Sequence, residues 1–188
     1  IIPPFGEEMN RCRRFMNDLA RALAFHGHLA VILDLSATGE SDGALKDSSW
    51  QDWCEDVHSL YLHLRAHKNR KIHVIAIRLG ALLCCDSISR FQMSFNSVHF
   101  IAPELSAQRF FTQLFRTKVI ADQFIDSHFK QVGRPLTRPR DELRDKGFIS
   151  VMGYTVSKSF VEEAENVSLS LSALKDVSCH SNNKAVSY

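Results

Sequence analysis

Apolar positions along this chain fall into two alternating rhythms. Between 9 and 25, Met9, Cys12, Met16, Leu19 and Leu23 recur at helical spacing among Arg11, Arg13, Arg14 and Asp18, which predicts an amphipathic helix stopped at Gly27. Residues 30–35 (AVILDL) form an apolar run broken only by Asp34, the pattern of a strand buried on both faces of a parallel sheet. Residues 34–43, rich in Ser, Gly, Asp and Thr, read as a loop. A second helix is predicted over 49–67, with Trp53, Val57, Leu60 and Leu64 on one stripe and Ser49 and Asp52 placed to cap its start. Residues 72–77 (IHVIAI) predict a strand, 81–89 a helix and 98–102 (VHFIA) a further strand, while Ile1 and Ile2 read as a strand end stopped by Pro3 and Pro4. This strand–helix–strand order with short links predicts an α/β fold with an open, doubly wound, mostly parallel sheet.

After Pro103 the rhythm changes. Residues 104–129 read as helical and carry Phe110, Phe111, Phe115, Phe124 and Phe129. Because this stretch interrupts the sheet pattern, it reads as a lid whose apolar underside covers a pocket, with core packing as the alternative. A polar stretch over 133–145 is broken at Pro135 and Pro139, 149–156 reads as a short strand or hairpin around Gly153, and 159–164 as a short helix. Another strand begins near Val177. The chain thus divides into core sheet and helices (1–102), a lid or insertion (103–165) and the start of the C-terminal part of the core (166–188). It opens at Ile1 without an initiator Met and stops as a strand begins, so further chain is expected at both ends.

With 188 residues, 45% hydrophobic and 23% charged, the chain is sized for one globular domain. Lys and Arg number 23 against 21 Asp and Glu, a formal charge of +2 that gives no electrostatic reason to expect a nucleic-acid or membrane-surface partner. The apolar runs are too short and too often interrupted by charge for a transmembrane segment. Cys12, Cys54, Cys84, Cys85 and Cys179 form no C-x-x-C pair and read as free thiols of a reducing cytoplasm. His63 and His67 stand four apart on a helix, but no H-E-x-x-H carboxylate joins them, so a solvated helix flank is expected and no metal. There is no G-x-G-x-x-G and no G-x-x-x-x-G-K-[ST], so no cofactor is expected either. Nothing in the sequence signals an oligomeric state.

Ligands of such sheets collect at the carboxyl ends of the strands, and three predicted strand ends carry suggestive residues. One runs from Pro3 through Phe5, Gly6, Glu7 and Glu8 to Asn10 and leads straight into a helix, so its backbone N–H groups suit an oxyanion hole or anion cradle. Another, DLSATGES, holds Asp34, Gly39 and Ser41, which read as loop support. The third is Ala76-Ile77-Arg78-Leu79-Gly80, continuing into helix 81–89. Together these resemble the α/β-hydrolase superfamily over nearly the whole chain. There the elbow reads G-x-S-x-G, and Arg78 stands here at the nucleophile position. The loop pattern D-x-x-G-x-G-x-S is kept at Gly39 and Ser41, with Ala37 replacing its first glycine. More narrowly, PPFGEEMNRCRR, ATGESDG, the pair Asp52 and Trp53, and IRLGALL resemble the second of two exosortase A-associated hydrolase families of bacterial exopolysaccharide and protein-sorting clusters. That family also tends to carry arginine at the elbow. The resemblance implies a hydrolase or acyltransferase acting on ester or acyl groups of a small molecule, a polysaccharide or a sorted protein.

Arginine stays protonated and offers only donors, so it is no nucleophile. A cation at the base of a partly buried turn needs a partner. The resemblance implies that the loop after the third strand lies beside the elbow, which makes Glu7 or Glu8 the natural counter-ion, and a bidentate pair with Arg78 is expected. Glu8 and Arg78 are then the candidate catalytic residues, Arg78 binding a substrate anion and Glu8 acting as base or nucleophile. Two plainer readings stand beside this one. Glu7 and Glu8 also suit the positive end of a helix dipole, and the fold equally serves a non-catalytic binding or scaffold protein. In the superfamily the triad histidine comes last in the chain, and His180, in the polar SCHSNN stretch, does not resemble its loop.

Overall fold

The computed structural model describes residues 1–67, 71–129, 138–167 and 178–182, the last five and 125–129 by their backbone alone. Three strands form a parallel sheet. β1 (His73–Ile77) pairs with β2 (Ser97–Ile101), and β2 pairs with β5 (Ser178–Asn182). On the other side of β1, Ile2 bridges to Ala76 in parallel: its N–H donates to the Ile75 oxygen at 2.8 Å, and the Ile77 N–H donates to the Ile2 oxygen at 3.2 Å. Further out, the Leu33 N–H donates to the Ile1 oxygen at 3.1 Å and the Ile1 backbone nitrogen donates to the Val31 oxygen at 2.6 Å.

The strand predicted over 30–35 does not form, and residues 30–34 are only half-buried. The reason is position. This run lies beyond Ile1 at the edge of the described sheet, so its outer hydrogen-bonding groups have no ladder to join.

Alternation of side chains along the strands feeds two clusters. Ile77 packs with Met9 and Met16 of α1 (Glu7–Phe25), flanked by Ile1, Cys12, Ile32 and Ile101. Ile2, Val74, Ala76, Val98 and Phe100 instead join a larger core with α2 (Trp50–Arg65) and α3 (Gly80–Phe91). α1 ends in a Schellman arrangement, in which Gly27 has φ 82 and its N–H donates to Ala24 while the His28 N–H reaches back to Leu23. α2 starts with a capping box: Ser49 Oγ accepts from the Asp52 N–H at 3.0 Å, and the Asp52 carboxylate accepts from the Ser49 N–H at 2.7 Å. Buried Asp86 pins α3 to α2, accepting from Trp50 Nε1 at 2.9 Å and from Arg90 Nε at 2.7 Å.

Beyond β2, α4 (Ala107–Phe129) begins three residues later than the predicted helix. Its Phe110, Phe111 and Phe115 are buried in the main core with Phe5, Trp53 and Phe160, whereas Phe124 is 62% exposed. The first half of α4 is therefore core. Part of the polar stretch over 133–145 is not broken but helical: α5 (Pro139–Lys146) has Pro139 in its first turn, where a missing N–H forfeits no bond. Gly133 and Pro135 lie outside the described residues. β3 (Phe148–Val151) and β4 (Tyr154–Ser157) form an antiparallel hairpin over Met152 (φ 50) and Gly153 (φ 86), the two positive φ values of a tight two-residue turn. α6 (Lys158–Glu165) follows and buries Phe160 against Trp53, with ring centroids 4.8 Å apart. Among the described residues no helix is long and apolar enough to cross a membrane.

Candidate functional site

β1 ends at Ile77 and α3 begins at Gly80, so Arg78 and Leu79 make the whole strand-to-helix turn. Arg78 has φ 53, left-handed backbone that costs a residue with a Cβ about 1 kcal/mol. Its surroundings impose that conformation. The Arg78 N–H donates to the Ile101 oxygen at 3.1 Å, and its carbonyl accepts from Ala81 at 3.0 Å and from Glu104 at 3.1 Å. A Cβ on Gly80 would collide with the Pro3 carbonyl oxygen and sit 3.1 Å from the Ile2 carbonyl oxygen, so the helix start presses directly on the loop after Ile2. Only glycine fits there.

That close approach brings α1 beside the elbow. Arg78 Nε donates to both oxygens of Glu8, at 3.2 and 3.3 Å, and Nη1 donates to the Ala102 oxygen at 3.1 Å. The pair differs from the expected fork-to-fork contact, because one nitrogen is shared between two oxygens. Nη2 makes no hydrogen bond among the described residues. The Arg78 side chain is 31% exposed and that of Glu8 is 37% exposed, so both meet solvent.

Glu7 turns elsewhere, to Asn10 Nδ2 at 3.4 Å and Arg11 Nε at 3.5 Å. Asn10 lies inside α1 and donates to the Tyr154 hydroxyl at 2.7 Å, tying the helix to the β3–β4 hairpin. Phe5 is buried in the core, and Gly6 takes φ 59 as its carbonyl accepts from the Met9 N–H at 3.0 Å. Across the neighbouring loop, Asp34 accepts from the Glu40 N–H at 3.1 Å, and Ser41 Oγ donates to the Asp34 carbonyl at 3.0 Å. Gly39 has φ 56 and leaves no room for a Cβ against the Asp34 carboxyl. Ala37, where the loop pattern carries glycine, keeps glycine's left-handed backbone at φ 60. Ser41 is thus occupied in shaping its own loop.

Cys12 is a neighbour of the site that composition alone does not single out, although its place four residues after Glu8 puts both on one helix face. Burial, then the Glu8 charge, raises its pKa, partly offset by Arg78, so it is held as the thiol and is a poor nucleophile. At the opposite, amino end of the sheet, Ser97 Oγ lies 2.6 Å from His73 Nδ1 and 2.9 Å from His99 Nε2. A hydroxyl has one proton, so at least one imidazole donates to it. Sequence reading missed this cluster because it forms only when β1 and β2 pair. The His180 backbone lies within β5, in register with His99. Among the described residues no group of three or more His, Cys, Asp or Glu side chains is arranged to hold a metal ion.

A protein family described as alpha/beta hydrolase fold matches residues 2–171. No curated protein matches the chain.

Proposed function

Because this chain belongs to the α/β-hydrolase fold family, we propose that its elbow serves as an anion receptor in place of a nucleophile, Arg78 holding the carboxylate or phosphate of a small acyl or ester compound. The observation that carries this is the state of the guanidinium. Nε and Nη1 are fixed by Glu8 and the Ala102 carbonyl, while Nη2 makes no hydrogen bond among the described residues on a side chain that meets solvent. An oriented donor of this kind recognises an anion without reacting with it. The proposal extends to a doubly wound sheet, supported by apolar clusters on two sides of the strands. It extends, on the four sequence motifs, to a bacterial exosortase and exopolysaccharide setting, and, on the reduced thiols of Cys12 and Cys54, to the cytoplasm.

A second reading is a hydrolase or acyltransferase in which Glu8 acts as base or nucleophile and Arg78 binds the substrate anion. Its support is the solvent access of the Glu8 carboxylate. Turnover of p-nitrophenyl acetate and butyrate separates the two. The receptor reading expects none above the buffer blank, whereas turnover that collapses in Glu8→Gln establishes the enzymatic one.

A further inference from the structure

A 410 Å3 cavity opens between the first turns of α1, the 37–46 loop and the tip of the β3–β4 hairpin, and neither Arg78 nor Glu8 lines it. Its apolar wall comes from Phe5, Met9, Leu45 and Trp53, with the Tyr154 ring beside Gly6. Two cations stand on it from different segments, Arg13 on α1 and Lys46 on the 3-10 turn Leu45–Asp47. Among the described residues, neither makes an ion pair and no acidic residue lines the cavity. The Asn10–Tyr154 hydrogen bond at 2.7 Å holds the helix and hairpin walls together, so the space is framed by fixed elements.

We propose that this cavity is a second ligand site, distinct from the elbow, for a small amphiphile with an apolar chain and one anionic end. The volume is that of an ordinary small-molecule pocket. Burial of the chain against Phe5, Met9 and Trp53 drives binding, and two cations with no opposing carboxylate in the lining select the charge of the end group. A neutral analogue keeps the apolar contacts and loses that attraction.

The site stands apart from the elbow reading and is tested separately, by calorimetric titration of octanoate and octanol. Octanoate is expected to bind more tightly than octanol. Arg13→Gln with Lys46→Gln should weaken octanoate by about tenfold, since each exposed charge contributes modestly, and leave octanol unchanged. Ala44→Phe, at an exposed lining position, should abolish both, with an unaltered circular dichroism spectrum showing that the fold is kept. Arg78→Gln should change neither. Absence of octanoate binding, equal binding by the Arg13/Lys46 variant, or loss in Arg78→Gln with retention in the Arg13/Lys46 variant would each overturn the assignment.

Discussion

The Nε–H of Arg78 is shared between the two carboxylate oxygens of Glu8, at 3.2 and 3.3 Å across 70 residues of sequence. Both side chains are about one-third exposed, and ion pairs that meet water add at most about 1 kcal/mol to stability. The pair is therefore weak as a strut. Glu8→Gln should lower unfolding free energy by less than about 1 kcal/mol in urea titration. A loss of several kcal/mol would make the pair a structural element instead of a ligand site.

Backbone strain at Arg78 can be isolated from its charge. Arg78→Gly and Arg78→Ala both delete the ion pair, but only glycine relieves φ 53. The glycine variant should be the more stable of the two by about 1 kcal/mol in the same titration. Equal stabilities would mean that the turn relaxes once the guanidinium is gone.

Gly80→Ala should be far more damaging. The added methyl meets backbone oxygens of Pro3 and Ile2, which cannot rotate away as a side chain would. A loss of about 3 kcal/mol or more is expected, read as a lowered thermal midpoint or as insoluble protein. A Gly80→Ala variant with wild-type stability would show that the α3 start and the Pro3 loop are not in contact.

Cys54 gives the fold an alkaline limit. Burial, reinforced by the Asp86 charge and partly offset by a Ser87 hydrogen bond, pushes its thiol from 9.0 up to about 12. The folded state then keeps a proton that the unfolded chain releases. This contribution is intact below pH 9.0 and is lost as pH rises toward about 12. Stability should fall more steeply between these limits in the wild type than in Cys54→Ala, whose cavity cost does not titrate. Parallel pH profiles would contradict this.

Legibility in the sequence followed the range of the interactions. α1 and α2 could be read because their periodicity and caps are local: Ser49 with Asp52, and Gly27 at a left-handed helix end. The 30–35 run misled because an apolar stretch does not reveal whether both neighbouring strands are present. Pro139 read as a breaker, yet in a first turn it starts α5. At the site, the elbow motif located Arg78, and the layout implied by the family resemblance narrowed its counter-ion to two glutamates. Helix geometry decides between them: Glu8 and Cys12 share the face toward Arg78, while Glu7 lies a hundred degrees around toward Asn10 and Arg11. The Asn10–Tyr154 contact, 144 residues apart, left no local trace at all.

The most direct test of the receptor claim follows the Arg78 Nε–H cross-peak in nitrogen-15 NMR during titration with butyrate and with acetyl phosphate. A saturable shift of that peak is expected with at least one of these anions and none with butyramide. In Glu8→Gln, where a competing carboxylate is gone, the shift should occur at lower anion concentration. An Arg78 peak that stays fixed with both anions while remaining paired to Glu8 would rule out the receptor role.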